Sequence, residues 1–292
     1  MSPLHVCRLL VLVSISLMVS LSYAADPKVS YQRGLTLASQ GKFAEARAAF
    51  EQSLQADPQN TPSRNCLSVL ADVQAGRIKD QTAMHLFQAF IAYNLYRTDA
   101  AIQELNQAAT LDPQYALTYT HRGDAYADRK QLDQAMADYN RALKINPRYA
   151  QAYFHRGILY AKQSQLEQAM ADFSRALKAD PRYEPAYYSR GNIFAQQGRY
   201  DEAIADYNRL LEINPRYPHA YIRKALACEK AGRPREALAA YQAYLQKVNL
   251  PAADPRQVQF VRDKIKSLTK DQAALRLGQP DIMLQCRNVL LA

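Results

Sequence analysis

Pro113, Pro147, Pro181 and Pro215 recur at one fixed interval, within "LDPQY", "INPRY", "ADPRY" and "INPRY". A fixed period of this length marks a chain built from stacked supersecondary units. Each such unit is too small to bury its apolar face alone. Alignment on the prolines gives four successive segments over 116–251. In the first, Tyr119, Gly123 and Tyr126 recur at helical spacing, and so do Ala135, Tyr139, Ala142 and Leu143. Each half therefore reads as an amphipathic helix, and each unit as a helical hairpin. The proline stops the second helix by removing a donor and crowding the preceding turn.

The recurring slots have separate physical tasks. Gly123, Gly157 and Gly191 fall mid-helix, where glycine costs about 1 kcal/mol against alanine, and so they imply close helix approach. Ala135, Ala169, Ala203 and Ala237 are the small residues facing them on the second helices. Tyr139, Phe173, Tyr207 and Tyr241 fill the core. Arg122, Arg156 and Arg190 are followed, always at the same offset, by Asp138, Asp172 and Asp206. The segment that lacks the arginine carries Lys224 and Ala240 instead. The pairing predicts an ion pair between the two helices of each of these three hairpins. Arg148, Arg182 and Arg216 follow a helix end, where a cation meets the negative end of the helix dipole and can reach free carbonyls.

These aromatic, Gly, Tyr, Ala, aromatic, Ala and Pro slots resemble the tetratricopeptide repeat, in its bacterial Arg-Gly variety. A further copy lies at 27–60, with Gly34, Leu37, Ala46, Phe50 and Pro58. The last hairpin departs, with Ala225 in the glycine slot and its proline at Pro251. The resemblance implies an all-α, right-handed superhelical solenoid whose first helices line a groove that holds a protein partner. The expected layout is repeats at 25–60, 82–115 (degenerate), 116–149, 150–183, 184–217 and 218–251. An inserted helix is expected at 61–81. Val258, Val261, Ile265 and Leu268 share one stripe, which predicts a capping helix over 252–268 that covers the last repeat. A tail follows at 269–292, ending in the apolar "DIMLQCRNVLLA".

The stretch 1–24 differs from the rest. His5 and Arg8 precede an uncharged apolar run, Leu9 to Leu21, and Ser22-Tyr23-Ala24 follows. This is the layout of a secretory signal peptide. The run is also shorter than the roughly 20 residues needed to span a bilayer. Cleavage after Ala24 would export the chain, to the periplasm or beyond. It would also lower the formal charge from +10 to +9 by removing Arg8. A basic balance permits anionic partners, but export argues against nucleic acid. Cys66, Cys228 and Cys286 remain, an odd number at wide spacings, which is neither a disulfide framework nor a metal signature.

No catalytic motif is present: no phosphate loop, no H-E-x-x-H, no paired CxxC, no G-x-S-x-G. No cofactor or metal is expected. His121 and His155 occupy equivalent slots, and Asp124 lies one turn from His121. A contact pair for a partner is the simpler reading of these three than an acid/base or metal site. On the first helices, His121, Asp124, Phe154, His155, Ile158, Tyr188, Asn192, Ile222 and Arg223 lie beside the packed slots. They are the candidate peptide-binding groove. Some chaperone-binding members of the family grip a terminal carboxylate with lysine, asparagine and arginine. The corresponding slots here hold Thr120, Asp124, His155, Pro185 and Ser189, so that mode is not expected. The sequence thus points to an exported, non-enzymatic scaffold that binds a protein or peptide in its groove during assembly of an envelope or secreted complex. The alternatives are a structural subunit acting through its convex face or tail, and an enzyme or metal site built on the histidines.

Overall fold

Every apolar stripe of the repeats forms a helix. The structure, a computed structural model, describes residues 26–58, 60–248 and 253–277. Among them are 14 helices and no strands. In chain order the helices are α1 (Pro27–Ser39), α2 (Phe43–Ala56), α3 (Thr61–Gln74), α4 (Asp80–Asn94), α5 (Thr98–Leu111), α6 (Ala116–Asp128) and α7 (Leu132–Ile145). Next come α8 (Ala150–Lys162), α9 (Leu166–Ala179), α10 (Glu184–Gln196), α11 (Tyr200–Ile213), α12 (Pro218–Lys230), α13 (Pro234–Lys247) and α14 (Pro255–Leu277). Residues 1–25, which hold the expected signal peptide, and 278–292, which hold most of the expected tail, lie outside the described residues.

The chain divides into two compact units, 1–155 and 156–292, and the boundary falls within α8. In the first unit, α1/α2, α4/α5 and α6/α7 are antiparallel hairpins. Helix α4 packs directly on α1, and its Phe87 also stacks on Phe50 of α2 at a ring separation of 6.0 Å. Helix α3 lies chiefly against α2 and buries Cys66, Val69 and Leu70. In the second unit, hairpins α10/α11 and α12/α13 stack in sequence, and α14 covers the last of them. Its Val258 and Val261 are buried, and with Ile265 and Leu268 they pack on the cluster of Tyr221, Tyr241 and Tyr244. The capping helix runs past the expected end at Leu268 to Leu277. The stretch "TKDQAALRL" holds no helix breaker, and the next glycine and proline are Gly278 and Pro280.

The core follows the slots. Phe50, Tyr139, Phe173, Tyr207 and Tyr241 are fully buried, as are Ala46, Ala135, Ala169, Ala203 and Ala237. Each such ring contributes about 2 kcal/mol of apolar burial. The mid-helix glycines admit these rings. A Cβ on Gly123 would stand 2.6 Å from Tyr139, and one on Gly157 would stand 2.8 Å from Phe173. The turn joining the two helices of a hairpin needs one residue in the left-handed region. Gly41, Gly198 and Gly232 supply it in three hairpins, whereas Tyr96, Lys130 and Ser164 adopt it without glycine's freedom. The second helices end at Asn146, Asp180 and Asn214, the first two in extended conformation. Their side-chain oxygens accept the backbone N–H of Arg148, Arg182 and Arg216 two residues on, at 2.9–3.1 Å.

Candidate binding face of the first helices

The arginine of each Arg-Gly pair lies against the aspartate of its own hairpin. Arg122 donates from Nε to Asp138 Oδ2 and from Nη2 to Oδ1, both at 2.7 Å. Arg190 binds Asp206 in the same way at 2.9 and 2.7 Å. Arg156 binds Asp172 at 2.6 and 2.9 Å. The aspartates are buried, Asp172 completely. The free arm of the fork goes elsewhere. Arg122 Nη1 donates to Asn106 and Arg190 Nη1 to Ser174, both on the second helix of the preceding hairpin. Each of these two arginines thus clamps three helices. Asn106 and Ser174 escaped the sequence reading, although they stand as far before their arginines as the aspartates stand after them.

The cations of "NPRY" and "DPRY" behave differently from expectation. The guanidinium groups of Arg148, Arg182 and Arg216 make no hydrogen bond among the described residues. These side chains are exposed, and the aspartate or asparagine before the proline has already claimed their backbone N–H.

The residues beside the packed slots fall into two sets, one per unit. The first unit holds His121, Asp124, Phe154 and His155. Asp124 Oδ1 accepts from the Tyr139 hydroxyl at 2.8 Å and lies 3.0 Å from His155 Nδ1. His121 Nδ1 stands 3.7 Å from Asp124 Oδ2. The His121 ring meets Phe90 edge-on at 4.9 Å, and Phe154 meets His155 edge-on at 5.3 Å. Both imidazoles keep about a third of their side-chain surface open. Crowding by protein atoms and the neighbouring charges nevertheless shift all three groups. Burial alone would raise the Asp124 pKa. The charge and hydrogen bond of His155, the charge of His121 and the Tyr139 hydroxyl outweigh it, so the carboxylate is held below its usual range. Burial opposes charge on His155, but Asp124 overrides it and the His155 pKa rises. For His121 burial wins over Asp124, His155 adds to the effect, and its pKa falls. The arrangement places two imidazoles with opposite pKa shifts around one carboxylate. Among the described residues no group of three or more His, Cys, Asp or Glu is set to hold a metal ion.

The second unit holds Ile158, Tyr188, Asn192, Ile222 and Arg223. Ile158, Tyr188 and Ile222 are half-buried, and Arg223 is exposed. Tyr188 leans on Tyr217, with ring centres 5.5 Å apart, and on Tyr207 at 6.4 Å. Asn192 Oδ1 accepts from the Tyr207 hydroxyl at 2.8 Å. Asp124 and Asn192 therefore have a task the sequence reading missed: each satisfies the hydroxyl of the buried core tyrosine in its own hairpin. Where the core ring is Phe173, which has no hydroxyl, the same slot holds Ile158. Cys66 and Cys228 are buried free thiols, and burial pushes the Cys66 pKa up to about 12. No helix among the described residues is long and apolar enough to cross a membrane.

Family models described as tetratricopeptide repeats match residues 27–60, 154–218 and 188–256, and one described as a TPR repeat matches 123–164. Together they span more than half of the chain. No curated protein matches it. Among solved structures, PilW, described as a widely conserved type IV pilus biogenesis factor, is 19% identical with a TM-score of 0.53; the match covers 83% of this chain and 98% of that one. Pseudomonas aeruginosa PilF is 18% identical with a TM-score of 0.55, over 68% of this chain and 94% of that one. A MamA protein is 24% identical over 57% of this chain and 92% of that one, at 0.49. At these identities the likeness to PilW and PilF is one of fold. The period, the clamped hairpins and the matching family models agree: the chain belongs to the tetratricopeptide repeat family.

Proposed function

We propose that this protein is an exported, non-enzymatic scaffold that holds a protein segment on its first-helix faces, serving assembly of an envelope or secreted complex. One observation carries the reading. The second helices bury their aromatic and alanine slots fully, while in the second unit the first helices keep Ile158, Tyr188 and Ile222 half-open beside them. Apolar side chains grouped in this way mark surfaces that other proteins cover. Stacked hairpins present such a surface without added folding cost. The Leu9 to Leu21 run supports export. The resemblance of fold to a type IV pilus biogenesis factor is consistent with work in the envelope.

A photo-crosslinking residue at Ile158, compared with one at the exposed second-helix position Lys178, tests the reading in cells that export the protein. Crosslinks to a partner should form from position 158 and not from 178. Equal crosslinking, or none from 158, would overturn it. Intact mass of the exported protein should begin at Ala25.

A further inference from the structure

At the end of the second unit, α12 and α14 do not close on each other. Between them lies a cleft of about 350 Å³. Its floor is apolar, made by Ile222, Leu226 and Phe260, and its rim carries His219, Arg223 and Arg256. Phe260 is 39% exposed, rare for a large apolar side chain here, and its ring rests edge-on against Tyr241 at 6.3 Å. Among the described residues, neither Arg223 nor Arg256 forms an ion pair through its guanidinium. Neighbouring cations do: Arg233 binds Asp201 at 2.7 Å, and Lys264 binds Glu229 at 2.8 Å. The two rim arginines are thus unneutralised charges beside an open apolar floor. The wider charge pattern agrees, since most of the chain's positive excess falls within 156–292.

We infer that this cleft binds an acidic peptide segment, seating one aliphatic or aromatic side chain on Ile222, Leu226 and Phe260 and its carboxylates against Arg223 and Arg256. The inference rests on the first-helix face being a protein-binding surface, and it names the partner's chemistry at one end of that face. The planar guanidinium matches a carboxylate through two parallel hydrogen bonds, which an ammonium cannot do. Burying Phe260 and one partner side chain together supplies apolar contact, while the rim charges set orientation and speed of encounter. A nucleic acid would satisfy the arginines, but a floor of two aliphatic residues and one ring offers little for successive bases to stack on.

The test is fluorescence anisotropy with the full mature chain and a fluorescein-labelled twelve-residue peptide alternating Asp or Glu with Leu or Phe. Two control peptides replace the acids by lysine or the apolar residues by serine. The acidic, apolar peptide should bind at least about ten-fold tighter than either control, with affinity falling as salt rises. Arg223→Gln with Arg256→Gln should cost about ten-fold and flatten the salt dependence. Phe260→Ala should weaken binding and leave the salt dependence in place. The rim arginines hold no ionic partner, so a thermal melt followed by circular dichroism should not move. Binding indifferent to the arginine pair overturns the inference, as does tighter binding of a single-stranded oligonucleotide. A ten-fold gain on ending the chain at Leu277 also overturns it, because the chain's own last residues would then be the occupant. If position 158 crosslinks a partner while the cleft variants bind normally, the cleft fails and the binding face stands. If neither responds, both fail.

Discussion

Arg122 and Asp138 face each other across one hairpin through two parallel hydrogen bonds of 2.7 Å, and the third arm of the same guanidinium holds Asn106 of the hairpin before. The hydrogen bond to Asp138, more than offsetting burial, raises the Arg122 pKa above its usual value. Only about a sixth of the arginine side chain is open to water. Such a pair contributes geometry more than net stability. Its desolvation is costly, and the cost is recovered only while both partners are in place.

Breaking the pair from one side should therefore be severe. Asp172→Ala, at a carboxylate fully shielded from solvent, should destabilise the fold by about 3 kcal/mol. Replacing both Arg156 and Asp172 by apolar residues of similar size should cost much less. Urea unfolding of the two variants decides the matter. Equal losses would show that the charge left behind is not the main penalty.

The glycine slot gives a second prediction. Gly123→Ala gains about 1 kcal/mol of helix propensity. It also puts a methyl 2.6 Å from the ring of Tyr139, which is held in place by Asp124. Overpacking of a held ring costs roughly 1–3 kcal/mol, so the net effect should be destabilising. The hairpin that naturally carries Ala225 also departs in its core ring, since the Tyr241 hydroxyl goes to Glu229 at 2.6 Å. A Gly123→Ala protein as stable as the parent by thermal melting would contradict this.

At the hairpin turns, Lys130 (φ 61°) and Ser164 (φ 60°) occupy a conformation that their neighbours reserve for Gly198 and Gly232. The left-handed region costs a residue with a side chain roughly 1–2 kcal/mol. Lys130→Gly and Ser164→Gly should each stabilise by about 0.5–1 kcal/mol, less than the full strain because glycine also loosens the unfolded chain. The midpoint of urea denaturation should rise for each, and roughly add in the double variant.

The histidine pair should titrate in opposite directions. His155 gains Asp124 on folding and its pKa rises above 6.5. Its stabilising contribution is complete below the unfolded value and fades as pH climbs through the higher folded one. His121 is lowered below 6.5. Below that pH the unfolded chain binds a proton that folded His121 resists, so this residue weakens the fold as pH falls. Asp124 is lowered from 3.8, and it contributes above that value until pH drops through its folded one. Imidazole proton shifts followed by NMR should give the His155 midpoint above that of His121. Asp124→Asn should lower the His155 midpoint.

The repeats were legible because their identity lies in periodic packing slots, and a buried ring, a small residue opposite it and a helix stop leave fixed spacings in the chain. The Arg122, Arg156 and Arg190 pairs were legible for the same reason, as a constant offset between arginine and aspartate. What escaped were partners chosen by satisfaction rather than by shape. Asn106 and Ser174 differ chemically and only have to accept a hydrogen bond, so they leave no repeated letter. Arg148 and its equivalents do leave a repeated letter, yet only their backbone N–H is used. The end of the capping helix escaped because its apolar stripe stops before its helical propensity does.

Asp124 is where core and surface meet, and it separates the two demands. Tyr139 is buried, and its hydroxyl needs an acceptor. Asp124 supplies one at 2.8 Å and also holds His155. Tyr139→Phe removes a donor from a crowded carboxylate, and should cost about 1–3 kcal/mol. Adding Asp124→Ile to that variant copies the combination already present in the neighbouring hairpin, Phe173 with Ile158. There the apolar ring and apolar slot require no hydrogen bond. The double variant should recover most of the lost stability, measured by urea unfolding, while the His155 pKa falls because its carboxylate is gone. A double variant no more stable than Tyr139→Phe alone would mean that Asp124 is kept for its histidines, and not for the tyrosine beneath them.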